Sequence, residues 1–88
     1  MNKIALVTGA TSGIGAATAK ILAQNNYKVI ITGRRDERLG QLAVEIIEKL
    51  GADCYPLCFD IRNQEETEDA FNSLPAEWQN IDVLINNA

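Results

Sequence analysis

Thr8-Gly9-Ala10-Thr11-Ser12-Gly13-Ile14-Gly15 is the stretch whose reading decides the fold. It follows a short apolar run, Lys3-Ile4-Ala5-Leu6-Val7, that reads as a buried strand. After it, Ile14, Thr18, Ile21 and Leu22 fall at helical spacing, with Ala16, Ala17, Ala19 and Ala23 between them. That pattern predicts a helix from about Ser12 to Gln24, ended by Asn25-Asn26. Between strand and helix each glycine has its own duty. Gly9 turns the chain sharply off the strand, Gly13 removes a Cβ where backbone must approach a ligand, and Gly15 lets the helix lie near the sheet. The start of a helix presents unpaired N–H groups and a partial positive charge, so this turn suits an anion such as a pyrophosphate. Thr11 and Ser12 add hydroxyl donors. Glycines also serve ordinary turns, but here both flanking contexts are those that the binding mechanism requires.

Working outward, Lys28 to Thr32 is a β-branched run closed by Gly33, a second strand. Asp36 reads as a helix cap, followed by an apolar stripe of Leu39, Leu42, Ala43, Ile46 and Leu50 and a stop at Gly51. Gly40 inside that helix costs roughly 1 kcal/mol relative to alanine, which suggests a tilt or a close contact there. Ala52 to Phe59 is a third strand, in which Pro56 removes a ladder donor and so favours a sheet edge. Asn63 stands three before Glu66, the spacing of a capping box, and opens a helix running to about Ser73 and broken by Pro75. Asp82 to Ile85 is a fourth strand. Strands and helices that alternate with short connections imply a parallel α/β sheet with right-handed crossovers. The expected strand order is 3-2-1-4, which places a switch point between strands one and four, where ligands of open parallel sheets bind.

Composition narrows the function classes. Of the 88 residues, 47% are hydrophobic and 23% charged, as in an ordinary globular chain. One domain, 1–88, is the most this length allows. The net charge of −4 argues against nucleic acid as a partner, and the apolar runs are too short to span a membrane or serve as a signal peptide. The cytoplasm is the expected compartment. Cys54 and Cys58 share one strand, ~13 Å apart at ~3.3 Å per residue, beyond disulfide reach. Without histidine or a second cysteine pair they suit no zinc site, and both read as core or near-core thiols.

Arg34, Arg35 and Arg38 form a basic cluster within this acidic chain. Enzymes using NAD usually carry an acidic residue at the end of the second strand, about 20 residues past the glycines, to hold the ribose 2′-hydroxyl. Here that place holds Thr32-Gly33-Arg34-Arg35. A carboxylate there would repel a 2′-phosphate, whereas a glycine leaves room and an arginine can pair with it bidentately. NADP is therefore expected over NAD. The alternative is a solvated loop in which the arginines pair with Asp36 and Glu37, though exposed pairs are worth only ~0–1 kcal/mol.

The glycine spacing, T-G-x-x-x-G-x-G, resembles the short-chain dehydrogenase/reductase family. Asn86-Asn87-Ala88 at the end of strand four and Asp60-Ile61 after strand three strengthen the resemblance, which spans the whole chain. It implies the N-terminal half of a doubly wound Rossmann fold. Gly9, Thr11, Ser12, Gly13, Ile14 and Gly15 would hold the pyrophosphate and nearby ribose, and Arg34 and Arg35 the 2′-phosphate. Asp60 and Ile61 would meet the adenine, and Asn87 and Ala88 the adenine-ribose side through backbone. Asp60 could instead be a turn residue, and Asn86 and Asn87 could tie strand four to its neighbour. The stretches 32–39, 60–63, 73–78 and 80–82 resemble the NADP-dependent 3-hydroxy acid and serine dehydrogenases. Trp78 by itself reads as a packing residue beside strand four.

The family's chemistry uses a Ser and a Tyr-x-x-x-Lys pair. Here Tyr27 is followed four residues on by Ile31 and Tyr55 by Phe59, and no His offers another base. No catalytic residue is thus assigned, and the 88 residues alone are expected to be inactive. The expectation is a partial domain truncated after strand four. Apolar surface would then be exposed around Ala5, Val7, Val83 and Ile85. The complete protein would take a small-molecule substrate and assemble as a homodimer or tetramer. The competing readings are a non-catalytic nucleotide-binding fragment and an interaction module.

Overall fold

Apolar runs too short for helices and rich in branched side chains form the strands, and the segments between them coil back over the sheet. The computed structural model describes residues 2–87. The elements are β1 (Ile4–Thr8), α1 (Gly13–Gln24), β2 (Lys28–Gly33), α2 (Asp36–Leu50), β3 (Cys54–Cys58), α3 (Gln64–Asn72), a 3-10 turn (Ala76–Trp78) and β4 (Val83–Asn86). All neighbouring strands pair in parallel, in the order β3-β2-β1-β4. Ala5 stands level with Val29 on one side and Val83 on the other. Pro56 lies on the edge strand β3 and Phe59 N–H continues the ladder to Gly33 O at 3.0 Å.

Two cores flank the sheet. On one face Val7, Val29 and Ile31 pack against Ala19 and Ala23 of α1 and Leu39, Leu42, Ala43 and Ile46 of α2. On the other, Leu6, Ile30, Leu57 and Phe59 pack beneath Leu74 and Trp78. Trp78 is indeed a packing residue, but against strands two and three. Its ring lies 5.5 Å from Tyr55 and 4.3 Å from the Lys28 ammonium.

Several local expectations need correction. The buried stripe of α1 is Gly15, Ala19 and Ala23, while the larger Ile14 and Ile21 face solvent. Small side chains let the helix sit close to the strands, and the bulky ones are turned away. Asp36 does not cap α2. Arg35 holds the extended cap position, without a side-chain bond, and Asp36 is the first helical residue, where its charge favours the helix dipole. Ala5 and Val7 are fully buried, contrary to the expected exposed patch. The strand order is as expected, and α1, crossing from β1 towards β2, covers β1. Val83 and Ile85 are half-buried, and Leu84 on the opposite face is 63% exposed. Cys58 is exposed, not a core thiol. Cys54 is buried, and burial pushes its thiol up to about 12.

The ends of the helices follow the sequence signals. Gly51 takes a left-handed conformation at φ 65° and its N–H donates to Ile46 O. Asn63 Oδ1 accepts from Glu66 N at 3.1 Å. Around Gly40, by contrast, no atom of the described residues beyond its chain neighbours and its own stretch of helix backbone lies within 4 Å of where a Cβ would stand, so no close contact accounts for it. Gly40→Ala is expected to stabilise the protein by roughly 0.5–1 kcal/mol through helix propensity alone. A thermal melt with an unchanged or lower midpoint would contradict this.

Candidate functional site

The turn after β1 is held by its own hydrogen bonds. Gly9 adopts φ +61°, which glycine tolerates, and Ala10 N–H donates to Thr32 O at 3.0 Å, tying the turn to the end of β2. Ser12 N–H donates to Gly9 O at 3.2 Å, and the Ser12 hydroxyl donates to the same oxygen at 2.9 Å. Ser12 Oγ in turn accepts from Gly15 N at 3.1 Å, capping α1. Ser12 is therefore not the free hydroxyl donor expected from the sequence; its proton is committed to building the turn. Among the described residues no acceptor meets the N–H groups of Thr11, Gly13 and Ile14, so the helix start keeps donors for a ligand.

Gly15 lets the start of α1 lie against the turn that leaves β1. A Cβ there would stand 2.1 Å from Gly9 O and 2.9 Å from Ala10 Cα, so the glycine admits the turn's own backbone. At Gly33 a Cβ would lie 2.9 Å from Thr11 Cγ2, so this glycine makes room for Thr11.

At the carboxyl ends of the strands these pieces enclose an open cleft of about 280 Å³. Gly9, Thr11 and Ser12 line it from the turn, Thr32, Gly33 and Arg34 from the end of β2, Phe59 through Arg62 from the end of β3, and Asn87 from beyond β4. Beside it, Thr11, Ser12, Arg34, Arg35 and Arg38 surround a second hollow of about 260 Å³. Among the described residues no carboxylate lines that hollow. The ion pairs among the described residues are Lys20–Glu45 and Arg62–Asp60, so none of the three arginines is paired with Asp36 or Glu37.

Asp60 is more engaged than its sequence position suggested. Its Oδ1 accepts from Arg62 N at 3.0 Å and from Arg62 Nε at 3.1 Å, and its Oδ2 from Arg62 Nη2 at 3.0 Å. The hydrogen bonds from the Arg62 side chain, and then from its backbone, hold the Asp60 carboxyl below the usual carboxylate range, helped by the fields of Arg62 and Arg34. At the other side of the cleft Thr8 joins β1 to the segment after β4. Its hydroxyl donates to Asn86 Oδ1 at 2.8 Å and accepts from Asn87 N at 3.0 Å. Asn86 and Asn87 do tie strand four to its neighbour. The Asn87 side chain also leaves Nδ2 buried without a hydrogen-bond partner among the described residues, a donor beside the cleft.

Of the candidate residues, then, Gly9, Thr11, Ser12, Arg34, Asp60, Ile61 and Asn87 share the main cleft, and Arg35 joins the adjoining hollow. Gly15 lies buried behind the turn, Gly13 is exposed beside open space, and the Ile14 side chain points to solvent outside the cleft. Ala88 lies outside the described residues. Thr32, Gly33, Phe59, Arg62 and Arg38 line these cavities without having been singled out as site residues. Gly33 and Arg38 carried legible signals, Gly33 as the small residue closing strand two and Arg38 as a member of the basic cluster one helical turn after Arg35. The described residues contain no group of three or more side chains able to hold a metal ion, and no helix is long and apolar enough to cross a membrane.

Known proteins share this arrangement. A "Probable NADP-dependent dehydrogenase" of Haemophilus influenzae is 52% identical over 84 residues, 96% of this chain and 32% of that protein. The NADP-dependent 3-hydroxy acid dehydrogenase of Escherichia coli is 48% identical over 85 residues, 97% of this chain and 33% of its own length. The crystal structure of serine dehydrogenase from Escherichia coli superposes with a TM-score of 0.86 at 48% identity, covering 97% of this chain and 38% of that one. The chain thus spans about a third of the length of the curated relatives it matches. The family model for short chain dehydrogenases matches residues 3–88. With its glycine turn, parallel 3-2-1-4 sheet and carboxyl-end cleft, the chain belongs to the short-chain dehydrogenase family.

Proposed function

We propose that these residues bind NADP and form the cofactor-holding part of an oxidoreductase that moves hydride between NADP(H) and an alcohol or carbonyl substrate. The observation that carries this is the hollow in which Arg34, Arg35 and Arg38 converge on the hydroxyl-bearing residues Thr11 and Ser12, with no carboxylate among the described residues that line it. Unpaired guanidinium groups gathered in one place repel one another, and a phosphate dianion removes that repulsion. The unmet N–H groups of Gly13 and Ile14 suit the diphosphate of the same ligand, and Asn87 Nδ2 is a donor for one of its oxygens. The bound nicotinamide would accept or supply the hydride, and these residues would bind and orient it.

The relatives' names favour a 3-hydroxy acid or serine as substrate. The catalytic Ser and Tyr-x-x-x-Lys would then lie outside residues 1–88, in a complete protein of about the relatives' length, and these residues alone would be a partial domain without activity. A cytoplasmic dimer or tetramer is the assembly we propose, an extension resting on family resemblance. Fluorescence titration of the complete protein tests the cofactor assignment. NADPH is expected to bind at least about tenfold more tightly than NADH, the equivalent of one charge-assisted contact. Equal affinities would remove the assignment.

A further inference from the structure

At the amino ends of the strands lies a further hollow of about 540 Å³, against about 280 Å³ for the cleft at their carboxyl ends. Small-ligand sites span roughly 300–1,000 Å³, so its size suits one. Lys3 and Ile4 line it where β1 begins, Lys28 where β2 begins, Glu77 and Asn80 in and after the 3-10 turn, and Asp82 just before β4. The lining thus holds two ammonium groups and two carboxylates, balanced in charge. Yet neither lysine pairs with either acid, since the ion pairs among the described residues are Lys20–Glu45 and Arg62–Asp60. One charge of each sign is also held in place. The Lys28 ammonium rests 4.3 Å from the centre of the Trp78 ring, which is itself packed in the core. Asp82 Oδ2 accepts from Ile4 N at 2.9 Å, and Asp82 N donates to Ile4 O at 2.8 Å. This clasp ties the carboxylate to the first residue of β1.

We propose that this hollow binds a small zwitterion, an amino acid whose carboxylate meets Lys28 and Lys3 and whose ammonium meets Asp82 and Glu77. A lone anion gains from the lysines and loses to the acids, and a lone cation does the reverse. The balanced lining therefore disfavours both, whereas a molecule carrying both charges gains at each end. Exposed ion pairs are ordinarily weak because two flexible side chains must be ordered to make them. Here Lys28 and Asp82 are already ordered, so that cost is largely removed before the ligand arrives. The Asn80 amide adds a donor and an acceptor at the rim. Because the strands are parallel, this hollow and the cofactor cleft stand at opposite ends of the sheet. The two ligands would be held together without competing.

The test is a calorimetric titration of the complete protein with glycine, β-alanine and 4-aminobutyrate, with and without NADPH. These probes carry no hydroxyl to oxidise, and their two charges stand progressively further apart. At least one is expected to bind with a Kd of about 1 mM or tighter. Acetate and ethylammonium, each with a single charge, should bind at least about tenfold more weakly. Asp82→Asn keeps an oxygen for Ile4 N–H while removing the charge. That variant and Lys3→Gln should each weaken the best probe by roughly three- to tenfold, and Lys28→Gln by at least as much. Lys3 and Asp82 are exposed, so their variants keep the test decisive should Lys28→Gln melt early. NADPH should leave the probe affinities unchanged. Binding by none of the three probes would overturn the proposal, as would singly charged probes binding equally well. Affinities untouched by Asp82→Asn and Lys3→Gln would place the probe elsewhere and overturn it too. Competition with NADPH would move the probe into the cofactor cleft, with the same consequence.

Discussion

Gly15→Ala is expected to destabilise the complete protein by about 3 kcal/mol or more, lowering its melting midpoint by roughly 10 °C, and to abolish cofactor binding with it. The added Cβ would stand 2.1 Å from Gly9 O and 2.9 Å from Gly9 C and Ala10 Cα. These are backbone atoms, so no side chain can rotate aside. Either the start of α1 moves outward, or the Gly9 turn opens. The turn has little freedom, because Gly9 already sits at φ +61° with its own Cβ position 3.1 Å from Asn87 O. Moving the helix breaks the Ser12 cap and withdraws the unmet N–H groups from the cleft. Gly13→Ala is the control. Beyond its chain neighbours and its own helix backbone, nothing among the described residues lies within 4 Å of a Cβ there, so the melting midpoint should hold while dinucleotide affinity falls, if Gly13 exists for the ligand's approach. Calorimetry and a cofactor titration on both variants separate the two duties. A Gly15→Ala protein melting like its parent would contradict the packing argument.

The sequence made the architecture legible because its signals there are local. Gly51 and Asn63 mark helix ends through backbone conformation and a side-chain bond to a neighbour three residues on. Pro56 announces an edge because it removes a donor from its own strand. The errors lie where the outcome depends on how far apart two elements stand. Ile14 and Ile21 have the spacing of a core stripe, but the closeness set by Gly15 leaves space only for alanine, so they turn outward. Ala5 and Val7 looked bare because the strand order was considered without the helix that crosses over it. The site divides in the same way. The glycine turn, Arg34, Asp60 and Asn87 were found from position in the chain, and all four reach one cleft. Ser12's committed hydroxyl and the fork between Asp60 and Arg62 were not, since a hydroxyl's or carboxylate's free capacity is known only when its neighbours are placed. Arg38 entered the basic hollow through the fold, because the first turn of α2 lies beside Thr11.

The same hollow sets the largest change expected in ligand choice. Arg34→Asp combined with Arg35→Ala should lower the NADP-to-NAD specificity ratio of the complete protein by roughly a hundredfold or more. Each charge-assisted hydrogen bond to a phosphate contributes about 1.5–3 kcal/mol, and two arginines would be lost together. The new carboxylate acts in both directions. It repels a 2′-phosphate carrying about −1.5 to −2 charges at neutral pH, and it can accept a hydrogen bond from the free 2′-hydroxyl of NAD. Arg38→Ala alone should reduce the ratio by a smaller factor, roughly three- to tenfold, since two guanidinium groups remain in the hollow. Salt provides an independent check. Raising ionic strength from about 0.01 to 0.15 M shortens the Debye length from about 30 to about 8 Å, which should weaken NADPH binding in the parent more than in the double variant. NADH, lacking the extra phosphate, should respond less in both. Steady-state kinetics with each cofactor measures the ratio. Were the double variant to keep the parent's ratio, the arginines would be a solvated loop and the phosphate would have to be held elsewhere. A drop confined to the double variant, with Arg38→Ala unchanged, would leave two arginines sufficient and the third a bystander.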